Sequence, residues 1–236
     1  MRTVAAVLAG GTGRRTGLAT PKQLLMIAGK TVIERSVAAF SAAPQIDEII
    51  VVMTPGRTGE VAELLDRGGH HKVSRVIEGG LARSDSAQRA LAALGDGECD
   101  VLLHDAARPL VSQQIIDGCV TALKAYRAVG VTIPSADTIV VTADGVIRHM
   151  PSRDGLHRCQ TPQGFRLSVI RRAYGLANAD PGFTATDDCG VVLRYLPDVP
   201  IAVVTGSDRN IKITYPDDVA VAEALLTTPV ERPGPG

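Results

Sequence analysis

The stretch "LAGGTGRRTG" at residues 8–17 sets Arg14 and Arg15 side by side inside a glycine-rich turn, and Lys22 follows directly behind Pro21. Guanidinium groups meet phosphate oxygens in a two-pronged geometry, and a lysine adds a compact point charge. The turn follows an apolar run at residues 4–8 and precedes a polar, helix-compatible segment, an arrangement that leaves bare backbone N–H groups facing an anion. Two standard nucleotide motifs fail on spacing. After Gly11 and Gly13, Thr16 stands where the dinucleotide fingerprint needs its third glycine, and Gly29-Lys30-Thr31 lacks the upstream glycine of a P-loop. What is left is a glycine loop carrying three cations, readable as a polyphosphate clamp or as a turn whose basic side chains are solvated.

"HDAARP" at 104–109 is the second such stretch. Asp105 closes a predicted buried strand, a costly place for a carboxylate unless it meets a cation or hydrogen-bond donors. A magnesium ion carrying nucleotide phosphates satisfies that need, and so does an internal Asp–Arg ion pair. Arg108 lies one loop-width away, placed for a second phosphate. In "NIKIT", 210–214, Lys212 interrupts an otherwise apolar strand pattern, either snorkelling at a sheet edge or held over an anion. "PSRDG", 151–155, adds Arg153.

The elements around these residues alternate. Apolar runs at 4–8, 49–53, 73–77, 101–104 and 129–133 predict strands, and amphipathic segments at 59–66, 84–94 and 112–127 predict helices between them. A capping box at Thr31-Val-Ile-Glu34 starts a further helix with Ile33, Val37 and Phe40 on one face. Such alternation predicts a parallel sheet covered on both faces, with ligands bound at the carboxyl ends of the strands. "LAGGTGRR", "EGG" and "HDAARP" all fall at such ends. After Pro134 the pattern breaks into 138–142, Ala-Asp-Gly145 and 146–149, a hairpin signature. The hairpin is either an arm that buries its Ile and Val residues on a second subunit or an extension of the sheet. From residue 166 helical periodicity resumes, followed by a strand at 201–205 and a last helix from Pro216 to about Leu226 with acidic residues in its first turn.

Composition removes several classes. The chain has 236 residues, 45% hydrophobic and 21% charged, with Lys plus Arg balanced against Asp plus Glu at 25 each and only 3% aromatics. Neither a basic face nor stacking platforms for nucleic acid follow from this. No apolar run approaches the roughly 20 residues of a membrane span and the N-terminus lacks a signal-peptide layout, so a cytoplasmic location is expected. Cys99, Cys119, Cys159 and Cys189 form no C-x-x-C pair and read as small buried hydrophobes, and His70 and His71 read as solvated turn residues.

The ordered set "LAGGTGRR…PKQ…GG-x-x-R-x-x-S…HDAARP…DT…R…QTPQGF…TDD…NIKIT" resembles the cytidylyltransferases that act on small polyol phosphates, among them the 2-C-methyl-D-erythritol 4-phosphate enzyme of isoprenoid synthesis and the ribitol 5-phosphate enzyme of teichoic-acid synthesis. The resemblance spans about residues 4–222. It implies an α/β Rossmann-like nucleotidyltransferase fold over residues 1–226, with a mostly parallel twisted sheet, helices on both faces and a projecting β-hairpin arm at 136–157. Residues 227–236 read as a disordered tail.

By the same resemblance CTP sits in the glycine loop, against Ala9, Gly10, Gly11, Thr12 and Gly13, with Gly80, Ser86 and Ala106 reading base and ribose. Asp105 resembles the aspartate that holds Mg²⁺. Arg15, Lys22 and Lys212 match cations that stabilise charge at the attacked α-phosphate, and Arg108, Thr138, Arg153 and Thr161 match positions on the polyol-phosphate side. Thr138 and Arg153 are implied to reach a neighbouring subunit's site in a homodimer with interlocked arms.

The reaction so implied joins two anions and needs cations rather than a general base, which agrees with the residue types present. Departures from the common isoprenoid pattern include "LAGG" for "PAAG", Thr16, Leu81 and "DTIVV". They leave the acceptor open between methylerythritol phosphate, the more widespread use of the fold, and ribitol phosphate. A non-catalytic nucleotide-binding module is a rival of another class. It has no need of cations aimed at an α-phosphorus.

Overall fold

The computed structural model describes residues 1–11 and 21–228. Thr12, Gly13, Arg14, Arg15 and the tail 229–236 therefore lie outside the described residues. The strands are β1 (Thr3–Ala9), β2 (Met26–Ile27), β3 (Lys30–Thr31), β4 (Glu48–Met53), β5 (Val73–Glu78), β6 (Asp100–Asp105), β7 (Ala128–Pro134), β8 (Val141–Ala143), β9 (Val146–His149), β10 (His157–Arg166) and β11 (Ile201–Thr205). The helices are α1 (Val32–Ala42), α2 (Thr58–Arg67), α3 (Arg83–Ala92), α4 (Gln113–Ala122), α5 (Leu167–Asn178), α6 (Asp188–Tyr195) and α7 (Asp217–Thr227). A 3₁₀ turn at Lys22–Leu24 precedes β2.

Seven strands form one sheet in the order β11-β7-β10-β6-β1-β4-β5. β1 lies parallel to both β4 and β6, β4 to β5, and β7 to β11, while β10 runs antiparallel between β6 and β7. Alternate residues of each strand serve opposite faces. Ala5, Val7 and Ala9 of β1 join Ile33, Val37 and Phe40 of α1, with α2 and α4 beside them. Val4, Ala6 and Leu8 join Ala87, Ala90 and Leu91 of α3, with α5 and α6. Burying both faces is why these strands read as continuous apolar runs rather than alternating ones. The Thr31–Glu34 capping box is present, with Thr31 Oγ1 accepting from Glu34 N and Glu34 accepting from Thr31 N.

One strand is unanticipated, and two expectations change. β10 carries the sequence "HRCQTPQGFR", whose Pro162 and Gly164 argue against a strand, yet it lies near the middle of the sheet. A register irregularity between Cys159 and Gln163 accommodates Pro162. At Gly164 a Cβ would come within 2.7 Å of Val129 and 2.8 Å of Leu102, so only glycine fits between the neighbouring strands. The helix expected over 112–127 ends at Ala122 and gives way to turns, Lys124 N bonding to Thr121 O and Tyr126 N to Ala122 O, because the chain must enter β7 at Ala128.

"NIKIT" is not a strand: residues 211–214 run outside the sheet. Ile213 N bonds to Ala107 O, and the Ile213 side chain is buried against Ile27, Val32 and Ala222.

The hairpin β8–β9 stands as a separate two-stranded sheet rather than an extension of the main one. Asp144 and Gly145 both have positive φ, 53° and 75°, the conformation that a two-residue type I′ turn needs. No helix among the described residues is long and apolar enough to cross a membrane. Cys99 and Cys119 are buried as expected, but Cys159 is exposed on β10 and Cys189 is half-buried. His70 is half-buried, its Nδ1 3.4 Å from Ser41 Oγ, while His71 is exposed.

Candidate active site

The carboxyl ends of β1, β5 and β6 deliver Gly10, Gly79 and Asp105 to one side of the sheet, which is where parallel topology leaves a crevice. A cleft of about 260 Å³ opens there, lined among others by Gly10, Gly11, Lys22, Ser86, Asp105 and Lys212. A second hollow of about 230 Å³ adjoins it, lined by Arg108, Gln160, Thr161 and Asp187. The two share Arg83, Asp105, Thr186 and Lys212 as a common wall.

The first hollow is narrow by construction. Gly10 and Gly79 approach so closely that a Cβ on Gly79 would lie 3.1 Å from the Gly10 Cα and 2.7 Å from Ser86 Oγ, and a Cβ on Gly10 would collide with the same oxygen. Ser86 Oγ accepts from Gly80 N at 3.3 Å and bonds the Ala82 carbonyl. Gln23, almost fully buried, donates its amide to the carbonyls of Ala9 at 2.5 Å and Gly11 at 2.6 Å, so it fastens the start of the glycine loop. Lys22, the residue before it, donates Nζ to Ile213 O at 3.3 Å, which ties the loop side to the "NIKIT" side.

Asp105 sits at the common wall between two cations. Arg83 Nε lies 2.7 Å from Oδ1 and Lys212 Nζ 2.7 Å from Oδ2. Burial alone pushes the carboxyl upward, but Arg83 and Lys212 outweigh it and hold Asp105 far below the usual carboxylate range. Arg83 reaches back to Asp188 Oδ2 at 2.8 Å, and Tyr174 donates its hydroxyl to Asp188 Oδ1 at 2.6 Å. Burial disfavours the Arg83 cation, yet the two aspartates prevail and raise its pKa. Asp187 caps α6 by accepting from Gly190 N. Gln163 holds the start of that helix through Asp187 and the Asp188 and Cys189 amides.

Arg108 donates to the carbonyls of Asn210 at 2.7 Å and Cys159 at 3.3 Å. Burial lowers its pKa from the ordinary guanidinium value. Asn210, fully buried, donates in turn to Gln160 Oε1 and Thr161 O.

Gly10, Gly11, Lys22, Ser86, Asp105, Arg108, Thr161 and Lys212 thus gather around one crevice. Ala9, Gly80 and Ala106 do not line it. Ala9 and Ala106 are core residues, with Ala106 N bonded to Leu8 O and Ala106 O to Ser36 Oγ; Ala107 forms the wall instead. Thr138 and Arg153 belong to the hairpin region, are exposed, and line neither hollow of their own chain. Arg153 donates to Ala136 O at 3.2 Å. Thr12, Gly13 and Arg15 lie outside the described residues.

The ion-pair reading of Asp105 is correct as to arginine, but the partner is Arg83 and not the nearby Arg108. Arg83, Gln23 and Asp188 all stand within the quoted motifs, yet sequence gave no hint of their roles, because each acts on a residue far away in the chain.

Among known proteins, the chain matches the 2-C-methyl-D-erythritol 4-phosphate cytidylyltransferase (IspD) family over residues 3–228. It belongs to that family. A 2-C-methyl-D-erythritol 4-phosphate cytidylyltransferase of Thermobifida fusca is 58% identical, covering 98% of this chain and 96% of that protein. A bifunctional ribulose 5-phosphate reductase/CDP-ribitol pyrophosphorylase of Haemophilus influenzae is 39% identical over 95% of this chain but 48% of that protein. The crystal structure of 4-diphosphocytidyl-2C-methyl-D-erythritol synthase from Anaerococcus prevotii superposes with a TM-score of 0.84 at 29% identity, covering 96% of this chain and 99% of that one. As an IspD-family member the protein is a CTP-dependent cytidylyltransferase with an α/β nucleotidyltransferase fold.

Proposed function

We propose that this protein transfers CMP from CTP to the phosphate of 2-C-methyl-D-erythritol 4-phosphate, giving 4-diphosphocytidyl-2-C-methyl-D-erythritol for isoprenoid synthesis. The observation that carries the reading is the junction at Asp105 and Lys212, where the Gly10–Ser86 hollow meets the Arg108–Thr161 hollow. A nucleotide in the first and a phosphorylated polyol in the second would bring their phosphates together at that wall. The acceptor's phosphate oxygen attacks the α-phosphorus in line, the bond to the β-phosphate oxygen breaks, and pyrophosphate leaves with the electron pair. A phosphate nucleophile is already ionised at neutral pH, so no general base is required. The barrier is the approach of two anions, and Lys22, Lys212 and Arg15 supply charge against it.

Asp105 suits a magnesium ion that arrives with the nucleotide. Among the described residues each carboxylate oxygen makes one bond, to Arg83 or Lys212, which keeps a lone pair for a metal. When bound, Mg²⁺ would neutralise triphosphate charge and orient the α-phosphate. This chain's own residues hold the nucleotide loop through Gln23, steer the acceptor phosphate through Arg108, and keep the Asp105 carboxylate ionised through Arg83.

A homodimer fits the hairpin. Val141, Val146 and Ile147 are each about half exposed, an apolar surface that a second copy would cover while receiving Thr138 and Arg153 at its acceptor hollow.

The deciding experiment measures pyrophosphate with each of the four nucleoside triphosphates, with and without Mg²⁺, against 2-C-methyl-D-erythritol 4-phosphate and ribitol 5-phosphate. Release from CTP only, with the methylerythritol phosphate, supports the reading. Release with ribitol 5-phosphate alone transfers the assignment to the chemistry named for the Haemophilus influenzae relative.

A further inference from the structure

His104 immediately precedes Asp105 on β6 and is fully buried on the opposite face of the strand, with its ring edge-to-face against Phe40 at 5.0 Å. Its two nitrogens have distinct partners. Nε2 is 3.1 Å from the Arg108 carbonyl oxygen, and Nδ1 is 3.1 Å from Thr161 Oγ1. A carbonyl only accepts, so Nε2 carries the proton. Thr161 Oγ1 already accepts from Asp105 N, and among the described residues the acceptor bonded to its hydroxyl is His104 Nδ1, so Nδ1 is bare. The Thr161 hydroxyl therefore donates to Nδ1.

That hydroxyl also accepts from Asp105 N at 3.1 Å. The β6–β10 ladder pairs Gln163 with Leu103 and goes no further, so Thr161 Oγ1 takes the place of the backbone acceptor that Asp105 would otherwise lack. One continuous run of hydrogen bonds results, from Asp105 N–H through Thr161 O–H to His104, and from His104 Nε2–H to Arg108 O. The hydroxyl proton of Thr161 points inward and is not free for a bound phosphate.

We propose that His104 is a positioning residue for the acceptor half of the site: as the Nε2–H tautomer it ties the Asp105–Arg108 turn to Thr161 and so sets where the Arg108 guanidinium meets the acceptor phosphate. This rests on assigning the Arg108 hollow to the polyol phosphate, as above. Whereas Asp105, the other charged member of the run, lines both hollows, Arg108 faces the polyol-phosphate hollow with a guanidinium held by carbonyls on two other segments, Cys159 and Asn210. A shift of its backbone moves the guanidinium relative to both. The contacts of Gly10, Gly79, Ser86 and Gln23 that shape the nucleotide hollow share none of these bonds, and of the run's residues Asp105 is the one that also lines that hollow.

The test separates the two substrates. In steady-state kinetics on the full chain with CTP and the polyol phosphate that supports turnover, His104→Phe keeps the ring against Phe40 and loses both polar bonds. It is expected to raise the KM for the polyol phosphate at least tenfold while leaving the KM for CTP, and the Kd of CTP by calorimetry, within twofold. His104→Gln, whose amide offers one donor and one acceptor, should recover most of the loss. In ¹⁵N NMR of the wild type, the signal absent from the His104→Gln spectrum should report a ring protonated at Nε2 and bare at Nδ1.

Equal rises in both KM values, no rise in either, or an Nδ1–H ring would each overturn the inference. Should His104→Phe not fold, the His104→Gln kinetics and the tautomer measurement decide it alone. A wild type that releases no pyrophosphate with any polyol phosphate overturns the functional assignment, and the acceptor role of His104 with it, whatever tautomer NMR reports.

Discussion

Lys212 Nζ stands 2.7 Å from Asp105 Oδ2, although 107 positions of chain separate the two residues. With Arg83 on the other oxygen, the aspartate is held between one cation that is mostly buried and one that is more than a third exposed at the side chain. Lys212 is the more exposed of the two cations, and under the proposed function a triphosphate in the cleft would offer it a second anion.

Lys212→Ala and Lys22→Ala are therefore each expected to lower kcat by roughly 10²–10³, the range seen when a charge-stabilising group is removed from a reacting centre. The fold should survive both, as neither side chain is fully buried. Initial rates of pyrophosphate release beside far-ultraviolet circular dichroism check this, and a near-normal rate in either variant removes that lysine from the chemistry.

Arg83 is a different matter. Among the described residues it alone joins Asp105 to the fully buried Asp188, so Arg83→Leu leaves buried negative charge uncompensated and should cost about 3–5 kcal/mol of stability. Asp188→Asn keeps an acceptor for Tyr174 and should cost less. Denaturant titrations rank the two, and the reverse order would contradict the pairing described.

Gly10→Ala should weaken CTP binding more than tenfold and destabilise the fold, since the new methyl meets Ser86 Oγ. Removing that oxygen relieves the collision. The double variant Gly10→Ala, Ser86→Ala is thus expected to be more stable than Gly10→Ala alone, a non-additivity readable in melting temperatures.

His104 gives the pH dependence its sign. Its pKa falls from 6.5 in the unfolded chain to about 4 in the native protein. Below pH 6.5 the unfolded chain takes up a proton that the native ring refuses, so stability declines as pH drops until about 4, where both forms are protonated. Half-buried His70, also lowered by burial, adds to the same trend, whereas Asp105 contributes above pH 3.8 and loses its share only below it. Denaturation midpoints at pH 7 and pH 4.5 should separate less in His104→Gln than in wild type; equal separations would refute the assignment.

For the hairpin, Ile147→Asp is expected to convert a dimer into monomers in sedimentation and to abolish turnover while sparing CTP affinity. A monomeric wild type would remove the partner-subunit role of Thr138 and Arg153.

Much of the architecture is visible in the order of residues. The strands at 4–8, 49–53 and 101–104, the capping box at Thr31 and the Asp-Gly turn are local features, since propensity, capping and turn chemistry operate over a few positions. So is the placing of the glycine loop and "HDAARP" at strand ends. β10 escaped because its proline and glycine are tolerated only through a bulge and a close strand approach, both of which depend on β6 and β7 being there. The partners of Asp105, the inward hydroxyl of Thr161, the Gln23 clasp on the glycine loop and the loss of Ala106 to the core likewise have no local signal. The sequence by itself determined that Lys22, Asp105, Arg108 and Lys212 are candidates for one site and which end of the sheet bears Asp105. Only the tertiary structure decided which cation meets which carboxylate, because charge attraction and burial act through space and are indifferent to the 22 or 107 positions of chain that lie between partners.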